Sequence, residues 1–194
     1  MARGFGLAVR LLGSIVCVLL LATPAHAASF TVHAIMRGSN EVPPNASPAT
    51  GAANITVNGD TLTVDENWAG LIGGNPSAAH IHCCIAPGAN VGVAVGFPSF
   101  PATTSGSYFH VFNMLDPSIY TAAFLNNFGG GTAAGAEAAL VNGMIAGNAY
   151  VNIHNAVFPG GEIRGQVGPV PEPATLTLVG LGLAGAVFRR SRRR

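Results

Sequence analysis

The chain has 194 residues, of which 49% are hydrophobic and 9% charged, with 26 glycines. This weakly charged, apolar composition excludes a highly charged disordered chain and suits short strands joined by Gly and Pro turns. All nine basic residues are arginine and seven lie near the two ends, so the middle keeps Arg37 and Arg164 against seven acids, a net −5. A nucleic-acid binder needs a basic patch to neutralise phosphates, and that class is excluded.

Residues 1–27 read as a secretory signal. Arg3 and Arg10 give a positive start, Leu11 to Leu21 an apolar stretch, and Ala25-His26-Ala27 the small-x-small pattern that signal peptidase needs. The alternative, an N-terminal anchor, calls for a longer apolar run. Cys17 lies inside that run and leaves with the signal.

Residues 169–194 read as a second address. Pro171-Glu172-Pro173 is followed by the almost wholly apolar stretch Ala174 to Phe188 and then by the cluster Arg189-Arg190-Ser191-Arg192-Arg193-Arg194. As a helix that stretch reaches about 22 Å, short of a hydrocarbon core of roughly 30 Å. It inserts only with thinning of the bilayer or snorkelling of its flanks, and its arginines stay cytoplasmic by the positive-inside rule. Motif, apolar segment and arginine cluster in this order resemble the PEP-CTERM sorting signal of Gram-negative bacteria that make exopolysaccharide. The resemblance implies transient membrane anchoring and processing by an exosortase near Pro171, Glu172 and Pro173. A permanently retained anchor is the alternative.

Residues 28–168 remain, roughly 140 residues and enough for one core. Phe30 to Met36 predicts a first strand, and the prolines from Pro43 to Pro48 a loop. Ala53 to Val57 and Asp60 to Val64 flank Asn58-Gly59, a two-residue hairpin signal that pairs Val57 with Asp60 and Ile55 with Leu62. Ala79 to Cys84, Val91 to Phe97 and Tyr108 to Phe112 predict further strands. Thr132 to Met144 is alanine-rich and predicts one inserted helix, with Gly143 and Gly147 marking its end. Tyr150 to Ala156 and Glu162 to Val167 predict a closing hairpin. The expected fold is all-β, a Greek-key sandwich or barrel with one short helix.

Strand alternation concentrates the chemistry. In His80-Ile81-His82 both imidazoles project to one face. Tyr150, Asn152 and His154 share a face in the same way, as do Glu162, Arg164 and Gln166. A three-residue loop Phe158-Pro159-Gly160 would set His154 opposite Arg164 and Ala156 opposite Glu162, with Glu162 diagonal to His154. Two readings follow. His80, His82, His154 and Glu162 could hold a zinc or copper ion. Alternatively the histidines bond backbone carbonyls in a structural network and Glu162 pairs with Arg164, a cation that would repel a metal beside His154. His33 and His110 read as structural. Cys83 and Cys84 are adjacent, so in an oxidising compartment they either form a vicinal disulfide or remain thiols. Residues 28–168 contain no Gly-x-Ser-x-Gly elbow, phosphate loop or dinucleotide fingerprint.

Asn40-Glu41-Val42-Pro43-Pro44, Gly51, Ala79-His80-Ile81-His82, Tyr150 to His154 and Phe158 to Gln166 together resemble the CHRD domain, the module named for chordin. The resemblance spans about residues 29–167 and implies an immunoglobulin-like or superoxide-dismutase-like β-barrel without an established activity. It implies that His80, His82, Asn152, His154, Glu41, Glu162 and Arg164 cluster, with Glu41, Asn152 and Arg164 as a structural polar set. Likeness to a dismutase is one of fold alone. Three functions are then open. The first is a non-catalytic surface or matrix module binding exopolysaccharide or envelope proteins. The second is a copper- or zinc-binding or redox protein. The third is an inhibitor acting through the loops Val42 to Ala49 or Pro98 to Gly106.

Overall fold

The computed structural model describes residues 29–169. Eight strands form one antiparallel sheet: β1 (Phe30–Arg37), β2 (Thr50–Asn58), β3 (Thr61–Ala69), β4 (Pro76–Cys83), β5 (Val93–Gly96), β6 (Gly106–Asn113), β7 (Ala149–Asn155) and β8 (Ile163–Pro169). They lie in the order β5-β4-β7-β8-β1-β2-β3-β6, and the sheet curls into a half-barrel. The expected all-β class holds. Two helices are inserted between β6 and β7, a short α1 (Ala122–Asn127) and the expected longer one, α2 (Ala133–Ile145).

Alternation builds the core. Val32, Ala34 and Met36 of β1, Ala53, Ile55 and Val57 of β2, and Leu62, Val64 and Trp68 of β3 are buried while their neighbours face outward. The first hairpin differs in detail from the sequence expectation. Asn58 pairs with Thr61, so the turn is Gly59-Asp60, and Val57 faces Leu62 while Ile55 faces Val64. Gly59 takes a φ of 54°, the left-handed geometry that glycine supplies at the first central position of a two-residue turn. Moving the turn by one residue shifts the pairing by two, so every side chain keeps its face.

Thr132 caps α2 by accepting from the Gly135 N–H, and Gly147, at φ 71°, ends it. Gly143 is not at the end but inside the helix. A Cβ there would collide with the sulfurs of Cys83 and Cys84, which are joined as a vicinal disulfide. Through Ala136, Leu140 and Met144, one stripe at helical spacing, α2 fills the apolar side of β4, β7 and β8.

The sheet does not close. Among the described residues β6 pairs only with β3, while β5 pairs with β4 and, by an isolated bridge at Val95, with Tyr120; a cleft of about 740 Å³ lies between these edges.

Candidate functional site

Register brings the histidines together. His80 lies opposite Asn152, His82 opposite Tyr150 and Ala78 opposite His154. The polar side chains of β4 and β7 therefore share one face while Ile81, Val151 and Ile153 enter the core. The ring centroids of His80 and His154 are 5.0 Å apart, and the His82 ring stacks on Tyr150 at 4.5 Å. One ligand nitrogen from each of His80, His82 and His154 lies within 4.8 Å of the others.

Loops cover this face. The His82 Nδ1 donates to the Val91 carbonyl at 2.8 Å, and the His154 Nδ1 donates to the Pro159 carbonyl at 3.0 Å. Arg164 is 2% exposed. It lies 3.3 Å from the centre of the Tyr150 ring and donates to Asn90 Oδ1 and the Ala89 carbonyl, which pins the segment after the disulfide across the sheet. Asn152 lies opposite Arg164 across β7 and β8, and Glu41 lies beside both. Burial raises the Glu41 carboxyl to about 7, against the opposing pull of the Arg164 charge, the Val42 backbone and the Asn152 amide. Burial depresses all three histidines, His80 to about 4 with the charges of His154 and His82 adding to the effect.

Glu162 departs from the expected set. The closing hairpin pairs Asn152 with Arg164 and Ile153 with Ile163, so Arg164 is not opposite His154. Glu162 precedes β8 and leaves the polar face. The connection is longer than the expected three residues, and Gly161, at φ 126°, breaks the alternation where a Cβ would strike Glu41. The Glu162 carboxylate instead accepts from the N–H groups of Ile72 at 2.7 Å and Gly73 at 3.1 Å, from Ser47 Oγ at 2.6 Å and from Asn155 Nδ2. It ties three loops at the end of the barrel and pairs with neither Arg164 nor the histidines. Gln166 bonds the carbonyls of Gly147 and Ala149.

Of the histidines read as structural, His33 bonds Asn54 across β1 and β2, whereas His110 packs between Tyr108 and Phe112 and lines the cleft. Sequence reasoning missed the cleft, whose wall combines Phe97, Phe100 and Tyr120 with Ser77, Ser99 and Thr121. It also missed Glu66, fully buried on β3 with neither carboxyl oxygen hydrogen-bonded. The two-residue period from Leu62 through Val64 to Trp68 would have found Glu66.

Among the described residues no helix is long and apolar enough to cross a membrane. The signal and the motif at Pro171, Glu172 and Pro173 lie outside the described residues. Comparison with curated proteins and with solved structures gives no match. Family models match a CHRD domain over residues 32–167 and a PEP-CTERM protein-sorting motif over residues 169–194. The sorting motif marks an exported, envelope-associated substrate of the secretion machinery and an exosortase. The chain belongs to the CHRD domain family and carries a PEP-CTERM sorting motif at its C-terminus.

Proposed function

We propose that the CHRD domain acts at the cell surface as a non-catalytic module that captures a neutral, hydroxyl-rich ligand, a stretch of envelope polysaccharide, in the cleft between β4, β5 and β6. The carrying observation is the cleft wall, which among the described residues contains aromatic rings, hydroxyls and two imidazoles but no Asp, Glu, Lys or Arg. Aromatic faces cover the apolar C–H faces of sugars while hydroxyls and imidazoles exchange hydrogen bonds with the rim. A charged polymer would have no counter-charge there. The same wall argues against glycoside hydrolysis, which relies on a pair of carboxyl groups flanking the scissile bond. Ser99, the one non-glycine described residue with positive φ, at 54°, holds the loop between Phe97 and Phe100 at the cleft wall. Transient insertion of the C-terminal tail in the inner membrane, before exosortase processing, fits the same reading.

Binding of the purified full chain to extracted exopolysaccharide, followed by calorimetry, tests this. Saturable binding weakened about tenfold or more by Phe100→Ala is expected, since a buried aromatic contact is worth 1 kcal/mol or more. Binding unchanged in Phe100→Ala, or no binding to any neutral polysaccharide fraction, overturns it.

A further inference from the structure

We propose that His80, His82 and His154 form a binding site for one divalent late first-row metal ion, Zn²⁺ or Cu²⁺, held by the Nε2 atoms of His82 and His154 and a ring nitrogen of His80. Glu162, the fourth residue of the sequence-derived set, is not part of it.

The hydrogen bonds of the cluster carry the inference. A backbone carbonyl only accepts, so the contacts of His82 Nδ1 with Val91 and of His154 Nδ1 with Pro159 place the ring proton on Nδ1 in both residues. In a neutral ring Nε2 then carries a lone pair. Both Nε2 atoms converge on a single atom, Asn152 Oδ1, at 3.1 Å and 2.9 Å. Two lone pairs aimed at an amide oxygen repel it, unless a cation lies among them or the amide turns its NH₂ group toward them. The third ring adds a second observation, because His80 Nδ1 is buried and has no hydrogen-bond partner among the described residues, a costly state for a buried polar atom. A purely structural network would satisfy that atom; this one does not.

Nδ1–H bonded to a carbonyl with Nε2 left free is the arrangement in which outer-shell carbonyls orient metal-ligating imidazoles. Ligand nitrogens around one tetrahedral ion at 2.0–2.1 Å from it lie about 3.4 Å apart, so from the present 4.8 Å limit the rings need move by about an ångström. Imidazole donors suit zinc and copper rather than calcium or magnesium. Of the charges facing the cluster, Arg164 acts unfavourably on His82, but its guanidinium is held on other partners. Arg164 on β8 is turned onto Tyr150, Asn90 and Ala89, and the Glu41 carboxyl lies on the far side of Asn152. His80 also lines the cleft, so a coordination position left open by three ligands would lie close to the proposed ligand groove. The metal site stands on its own geometry and does not depend on the polysaccharide reading.

The full chain, purified in detergent without a histidine tag and stripped with chelator, is titrated with ZnCl₂ and CuCl₂ by calorimetry. One equivalent is expected to bind, with a thermal midpoint raised by several degrees through linkage. His154→Ala and His80→Ala should each weaken affinity about 100-fold or more, since even outer-shell losses cost 10–100-fold, and His33→Ala should leave it unchanged. Should a histidine variant fail to fold, the wild-type ¹H–¹⁵N long-range spectrum replaces it. On zinc loading the Nε2 signals of His82 and His154 should shift while their Nδ1 protons persist. No uptake of either ion, wild-type affinity retained in the His80 and His154 variants, or unmoved Nε2 signals overturns the proposal.

Discussion

Glu162 and Glu66 are both fully buried carboxyl groups in the same small barrel, yet their surroundings are opposite. Glu162, at the barrel end, accepts from two backbone N–H groups, a serine hydroxyl and an asparagine amide. Glu66 lies mid-strand between Leu62, Val64 and Trp68, faces Ala53 and Tyr108 across the sheet, and finds no partner for either oxygen. Desolvation alone raises it to about 8, so it holds its proton far above the ordinary carboxyl range. Donors within reach, rather than depth of burial, decide what a buried carboxyl does. At the barrel end, loop backbone has N–H groups to offer. Within the sheet every backbone donor is already taken by the ladder.

Three substitutions probe the contrast. Glu162→Ala should have the largest effect, about 4 kcal/mol of lost stability by denaturant unfolding, because it orphans four donors, from two loops and the end of β7, at once. A loss below about 1 kcal/mol would mean that the four hydrogen bonds contribute little.

Glu66→Leu should act in the other direction, and only at higher pH. The ordinary value is 4.5 and the native one about 8. Between these the native state keeps a proton that the unfolded chain releases, so stability falls as pH rises through that window. The penalty is absent below about pH 4.5 and approaches the order of 4 kcal/mol near pH 8. Glu66→Leu should therefore stabilise by about 3 kcal/mol at pH 8, change little at pH 4.5, and flatten the slope between. Denaturant midpoints measured across that range check it, and a wild-type slope of opposite sign would refute the assignment.

Ser47→Ala should be mildest. It removes one of four donors to Glu162 and should cost about 1 kcal/mol, read as a shift in denaturant midpoint without a change in slope. An effect as large as that of Glu162→Ala would place the weight of the cluster on the hydroxyl.

Much of the candidate site was legible because it rests on alternation. His80 and His82 are two apart, as are Asn152 and His154, and any antiparallel pairing of even register puts them on one face. Glu162 was misplaced for a local reason. The period of two ends where Gly161 turns left-handed, and Phe158-Pro159-Gly160 does not reveal how many residues the connection spans. The shift of the first hairpin by one residue has the same origin, since Asn58-Gly59 and Gly59-Asp60 are both acceptable two-residue turns and only packing selects between them.

The order of residues along the chain was enough to determine the C-terminal sorting motif, the CHRD likeness, the all-β class, and the face on which the strand side chains lie. All of these depend on composition, short motifs or a period of two, which are properties of neighbouring residues. Tertiary structure alone decided the strand order, the unclosed cleft between β5 and β6, the carbonyls that orient His82 and His154, and the donors that separate Glu162 from Glu66. These arise where segments far apart in sequence meet, and the loop lengths and positive-φ glycines that bring them together carry no periodic signal.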